Sequence, residues 1–576
     1  MEQIRDSIVP ALLKALEGES NNDIVTGCLM ALAKIGESRD GSESLGLADT
    51  IAAYLSDPNQ EIAETAAVAL GVLGGSDDSC LGRLISIATD SSDGRTLCGA
   101  PQSPVAQRTR TFAAYGLGLV GARLTGEEHL ATRQRIVDVL ARGLLPAERE
   151  STQDLAAAMV ISMGLVPLPP SGDAEVWEPC TIEEVLDAER GVSTLEQQLS
   201  LLLAVFDDQR LDRYLRAHVP TALARLVAQM LEDEDVASLR RSSIKEVVVE
   251  TLLVPLDPRK GAGFEEEVRQ SCALALGIVV DSDIDPIDRR AREVLLDVHA
   301  HQQRQTKAFG LVALGKIAGR EGERVEGRTD DDRFGLARAQ IVEHLESRLS
   351  RGRSGEEHYA ALGIGVLGYE LRGTPYRLRG AELLPIRQRL EAEDAASDIG
   401  AFAIACGIGG DVGASKALVE CIERVDDPTA KGYVALALGI LRERGARDVL
   451  SDIVLQSEYR PELLRQASIA LGLLQDKAAV EMLVDMLGRA ESQSSLASLA
   501  MALGYVGDTS AVEPLVRLLG DETVTKTARG FAAAALGLVA EKDRLPWNAT
   551  IAIDLNYRAT VPTLNSTDGK GLLNIL

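Results

Sequence analysis

One phrase recurs along this chain and limits what it can fold into. ALG, or a close variant, appears in ALAKIG at Ala31, ALGVLG at Ala69, GLGLVG at Gly116, SMGLV at Ser162, ALGIV at Ala275, ALGKIAG at Ala313 and GIGVLG at Gly363. It continues as ACGIGG at Ala405, ALGIL at Ala437, ALGLL at Ala470, ALGYVG at Ala502 and ALGLVA at Ala535. Counted at the third residue, the last five fall at 407, 439, 472, 504 and 537, at intervals of 32, 33, 32 and 33. A fixed period of that size marks stacked repeats, in which each unit buries its apolar face only by packing on its neighbours.

The stretch from Ser495 shows the unit. A small-residue helix ends on ALG, a polar step Gly507-Asp508-Thr509-Ser510 follows, and AVEPLVRLLGD forms a second helix. The step supplies a glycine to end the first helix and side-chain oxygens to cap the second. The second helix places Val512, Leu515, Val516 and Leu519 on one stripe and exposes Glu513 and Arg517. A mid-helix Gly costs about 1 kcal/mol of propensity relative to Ala. Its recurrence therefore predicts a neighbouring helix that comes too close to leave room for a Cβ.

Composition agrees with this reading. Aromatics are 3% of the 576 residues although 45% are hydrophobic, so Ala, Leu, Val and Gly must fill the core. The net charge of −27 argues against nucleic acid or anionic lipid as the main partner, since both need a basic footprint. No apolar run is long enough for a membrane span. MEQIRDSIVPALLKAL opens the chain as an amphipathic helix rather than a secretion signal. The expectation is a cytoplasmic chain if Met1 is the natural start, and an exported one if a signal segment has been removed.

The pattern xxAAxALGxLGDxxAVPxLLxLL, matched closely over about 394–542, resembles the bacterial HEAT-like repeat of the PBS-lyase type. AAYGLGLVG from Ala113 and HYAALGIGVLG from His358 are also similar to the Gly/Ala-rich repeats of proteasome regulatory scaffolds. Either resemblance implies an all-α, right-handed α-solenoid. Counting two cryptic repeats in the long interval between Gly164 and Gly277 gives about 14 HEAT-like hairpins. Residues 1–385 are expected to be irregular repeats with insertions, 386–543 regular repeats, and 544–576 a non-helical cap or tail.

Two features interrupt the pattern. VPLPPSGDAEVWEPC (166–180), GREGERVEGRTDDDR (319–333) and GYELRGTPYRLRG (368–380) each follow an ALG helix, so they would emerge on one edge. They are ordinary loops or a partner-recognising ridge. In the tail, Ile551, Ile553, Leu555 and Tyr557 alternate with a strand-like period of two. The tail is read as an extended cap folded over the last repeat. The other reading is a segment that adds a strand to a partner or docks through GLLNIL.

Chemistry-bearing motifs are weak. Glu-His pairs end at His129, His344 and His358, in the reverse order to the His-Glu dyads of HEAT-like di-iron hydroxylases. Asp281, Asp283 and Asp285 open like a calcium loop, but Pro286 takes the glycine position and Arg292 the place of the bidentate Glu. An acidic turn before a helix is the better account. The seven Cys form no CxxC pair; Cys28, Cys272 and Cys406 lie in helical runs, and Cys80 and Cys98 are spaced to close a loop. No catalytic, cofactor or metal residue is assigned, and no cofactor is expected.

These readings favour a non-enzymatic scaffold for a protein partner, the alternative being a HEAT-like enzyme of the bilin-lyase or di-iron type. Candidate partner-binding residues are Lys416, Glu420, Glu481, Asp485, Arg489, Glu513 and Arg517 on second helices, with Trp547 and Tyr557 in the tail. Self-association through the tail is a further expectation.

Overall fold

A computed structural model describes the chain except for residues 1–3, 38–44, 76–77, 145–151, 172–175, 186–190, 323–326, 328, 330–331, 333–334, 353–354, 475–476, 491, 542–548, 566–570 and 576. Among the described residues every regular element is helical, and helices pack in long-range series consistent with a repeat arrangement. The ALG phrases lie on helices α1 (Asn22–Ile35), α2 (Gln60–Leu73), α3 (Gln107–Arg123), α4 (Gln153–Met163), α6 (Glu266–Val279), α7 (Arg304–Gly319) and α8 (Glu356–Glu370). They continue on α9 (Ala396–Gly409), α10 (Pro428–Ile440), α11 (Pro461–Leu473), α12 (Gln493–Val506) and α13 (Lys526–Val539). Helix α5 (Arg213–Leu231) joins the series without the phrase.

By contacts the chain forms two compact units, each discontinuous in sequence. One comprises residues 29–279 and 541–576. In it α2 packs on α3, α3 on α4, α4 on α5 and α5 on α6. The long interval thus holds one helix of this series rather than two. The room for a Cβ on Gly164 is taken by Ala222 of α5, so Ala-Leu-Ala does there what Ala-Leu-Gly does elsewhere.

The other unit comprises residues 1–28 and 280–540, and the sequence boundary near 385 lies inside it. Helices α7 to α13 pack in order, each on the next. A Cβ on Gly439 of α10 would stand 2.7 Å from Ala470 Cα of α11. Close approach therefore accounts for the recurring glycine. The predicted turn chemistry is also present: Gly507 has φ +65°, and the Asp508 carboxylate accepts the Ser510 N–H at 2.9 Å. Second helices such as Val512–Gly520 pack chiefly on the first helix of the following repeat, which shifts the hairpin half a unit from the phrase that announces it.

The amino-terminal segment covers α13: Glu19 pairs with Lys526 at 3.6 Å and Arg529 at 3.8 Å, and Thr527 hydrogen-bonds Asp23. A Cβ on Gly27 would meet the Gly530 carbonyl at 2.5 Å, so the glycine contact between successive repeats is repeated here between the first and the last.

Candidate functional site

The tail lies across α3 to α6. Its seat begins with α5, whose first turn is capped by the Asp212 carboxylate accepting the Tyr214 N–H at 2.7 Å. His218, Thr221 and Arg225 follow at helical spacing and form one polar stripe on a helix otherwise packed with Ala, Leu and Val. On the adjacent α6, Glu267, Gln270 and Ser271 share a face, with Gln270 and Ser271 buried. Buried polar groups need partners, and the tail supplies several of them.

Arg225 donates to the Ile551 carbonyl at 3.3 Å and to the Ile553 carbonyl, while the Thr221 hydroxyl donates to the Asp554 carbonyl at 3.3 Å. Asn556 is the pivot. Its side-chain amide donates to the Glu267 carbonyl at 2.9 Å, to Ser271 Oγ at 3.0 Å and to Gln270 Oε1 at 3.4 Å. His218 is fully enclosed beside the Ala559 backbone, and burial pulls its pKa down to about 4 against the opposing effect of that hydrogen bond. Burial also lowers the Arg225 pKa to about 10, partly offset by Asp554. Farther along, Thr563 lies beside Asp154 of α4 and Tyr115 of α3. The Asp154 carboxyl is pushed up by burial, against Thr563 and Arg108. Burial pushes the Tyr115 phenol up, against the Thr563 hydroxyl beside it.

The tail's own conformation departs from the expected strand. Residues 549–552 make a helical turn, and Asp554 takes φ +58°, a left-handed conformation that breaks any extended run. The period of two therefore does not sort the side chains: Ile551 is buried, Ile553 and Tyr557 are each 54% exposed, and Leu555 is between. Ala559, Val561, Leu564 and Leu572 are buried. The GLLNIL end turns back on the tail, with the Leu572 N–H donating to the Thr563 carbonyl at 2.8 Å.

No protein-family model matches the chain, and no curated protein matches it in sequence. Its site must therefore be read from geometry alone.

The second-helix candidates are all exposed, and most pair along their own helix. Lys416 meets Glu420 at 3.5 Å, Arg517 meets Glu513 at 2.9 Å, and Arg489 meets Asp485; Glu481 lies one turn before Asp485. They are not brought together into one cluster by any contact between repeats. Trp547 lies outside the described residues. Of the tail candidates, Tyr557 points away from the buried side that Asn556 occupies. His218, Thr221, Arg225, Gln270, Ser271 and Asn556 were not singled out from sequence. The available signal was a His/Thr/Arg stripe inside HVPTALAR, where an apolar face was due.

Two of the insertions are stitched to helices that follow them. Trp177 is buried with its backbone N–H donating to Ser243 Oγ at 2.9 Å, and Arg372 donates to the Gly407 and Ile408 carbonyls at 2.9 and 2.7 Å. Asp281, Asp283 and Asp288 place buried carboxylate oxygens within 4.8 Å of one another, the only such His, Cys, Asp or Glu group among the described residues. Arg292, itself buried and donating to the Asp281 and Asp283 carbonyls, supplies positive charge at that turn. The cluster organises the start of helix Pro286–His301, with the Asp283 and Asp285 N–H groups bonded to preceding Asp carboxylates. His358 lies 3.3 Å from Asp398, and His129 3.9 Å from Glu128. None of the seven Cys is in a disulfide, Cys80 and Cys98 included, and burial raises Cys28 and Cys406 to about 12. Among the described residues no helix is long and apolar enough to cross a membrane.

Proposed function

We propose that the chain is a non-enzymatic scaffold of HEAT-like repeats that binds protein partners through the faces of successive helices. The observation that carries this reading is the seat on α5 and α6, which holds a protein segment by its carbonyls and one Asn side chain. Helix faces that recognise polypeptide in this way need no catalytic group. The exposed pairs at Lys416–Glu420, Asp485–Arg489 and Glu513–Arg517 would add charge selectivity and a faster encounter rather than raw affinity.

The test is affinity capture from native extract with the full chain as bait, at low and moderate salt, followed by native mass spectrometry. A stoichiometric protein partner that weakens when the three exposed pairs are charge-reversed supports the reading. Recovery of a bound metal or small molecule without any protein overturns it. A second copy of the chain as the captured partner would place self-association within the same function.

A further inference from the structure

We infer that the seat on α3 to α6 is an extended-peptide binding site, and that residues 549–565 occupy it as an exchangeable ligand in cis. The site would take a partner segment that carries Ile-x4-Asn-x2-Ala-x-Val, the spacing of Ile551, Asn556, Ala559 and Val561. This deepens the scaffold reading and rests on it.

Three observations support the inference. The first is how the tail is recognised. The α5 stripe donates to backbone carbonyls, of Ile551, Ile553 and Asp554, which any peptide offers, and Asp554 adds an opposite charge beside Arg225. Selectivity comes from one polar side chain, Asn556, whose amide is held by a carbonyl, a hydroxyl and an amide oxygen. Small and β-branched residues at 559 and 561 are wholly enclosed. Sequence-blind backbone contacts with a few side-chain pockets are how proteins usually bind extended segments.

The second observation is how few side chains the tail uses at the far end of the seat. Among the described residues of the tail, Thr563 alone reaches Asp154 of α4 and Tyr115 of α3, and His218 of α5 meets the Ala559 backbone rather than a side chain.

The third is that the tail is held as a separable piece. It packs on helices that precede it by hundreds of residues, and Asn556 is 285 positions from Ser271. Its own backbone bonds close locally, from Asn556 to Ala559 and from Thr563 to Leu572, so the segment carries its own turns with it. Ile553 remains exposed although its carbonyl is bonded to Arg225, so the seat holds this position by its backbone.

The test keeps the full chain. A protease site is placed between Glu541 and Ala549, the protein is cleaved after folding, and a fluorescein-labelled peptide of residues 549–576 is added. The expected result is saturable exchange of one labelled peptide per chain, with the helical circular dichroism unchanged. An Asn556→Ala peptide should exchange at least about tenfold more weakly, as expected when the hydrogen bonds of a buried amide are lost. A peptide with Ile553 changed to Ser should exchange like the original. Because these changes are made in the peptide, folding of the chain is not at issue. The inference is overturned if the cleaved tail never exchanges, if its release collapses the helical signal, or if the Asn556→Ala peptide binds as well as the original. Failure of exchange while the intact chain still captures a protein partner from extract overturns this inference alone; failure of both overturns the scaffold reading as well.

Discussion

Helices α9 to α13 and helices α3 to α6 are built from the same small residues, yet they handle polar groups in opposite ways. In the regular series, the charged groups of the second helices stay exposed and pair within one turn, as in Glu513–Arg517. The first helices bury mainly small and aliphatic side chains, and Ser498 donates to the Pro461 carbonyl of the neighbouring helix at 3.2 Å. In the irregular series, polar side chains go inside. Arg240 and Glu196 form an enclosed ion pair at 2.6 Å, Arg216 is wholly buried against Phe264, and His218, Gln270 and Ser271 are covered by the tail. The comparison teaches that the period is kept where the repeat packs only on its own kind. It loosens where a first helix must also hold another segment of the chain.

The largest effect that would sharpen this contrast is expected from Glu196→Ala. It strands the Arg240 guanidinium in the interior and frees the Ser171 N–H, and should cost about 3–5 kcal/mol in denaturant unfolding. A loss no larger than that of an exposed pair would erase the distinction between the two series.

Next comes pH. His218 is neutral in the fold with a pKa near 4, below its ordinary 6.5, so on acidification the unfolded chain takes up a proton that the folded chain refuses. Its contribution is complete above pH 6.5 and is lost as pH falls towards 4, by up to about 1.4 kcal/mol per pH unit. Asp154, raised by burial, works in the opposite direction. The measurement is therefore the difference in stability between the chain and His218→Gln across pH 7 to 4. A difference that stays flat over that range removes His218 from the account.

Gly439→Val tests what the two series share. The added side chain must displace Ala470 of α11, and a cost of about 1–3 kcal/mol is expected, with hydrogen exchange rising first in α10 and α11. If the variant is as stable as the parent, close helix approach is not the reason for the glycine. The smallest effect is expected from replacing Lys416, Asp485 and Glu513 together by Ala. Their exposed pairs should leave the unfolding midpoint unchanged within error. A clear drop would mean that the regular series also depends on its polar face.

Much of the fold was legible before any coordinates. The ALG period marked twelve of the thirteen first helices, and the turn at Gly507-Asp508 read correctly as a helix stop followed by a cap. These are short-range properties, fixed within one or two turns by helical spacing and backbone conformation. The reading failed where the decisive partner is remote. Two cryptic repeats were expected between Gly164 and Gly277, but among the described residues a single long helix joins the series, with Ala222 against Gly164 and Ala224 at the glycine position of the phrase. The alternation of Ile551, Ile553, Leu555 and Tyr557 suggested a strand, but a strand needs a neighbour to pair with, and the left-handed Asp554 turns the chain onto a helix face instead.

The sequence by itself determined that this is an all-helical repeat protein whose neighbouring helices meet at glycine. Periodicity and Cβ-free contact are local, and each repeat states them again. Only the tertiary structure decided what covers which surface. The amino-terminal segment lies on the last repeat through Glu19, Asp23 and Gly27, and the tail lies on α3 to α6 through Asn556. Those contacts join residues hundreds of positions apart, and they depend on a match between two surfaces that neither stretch expresses alone. A buried His or Gln in a helix says that something must cover it. Which segment does so is settled only when the chain has folded.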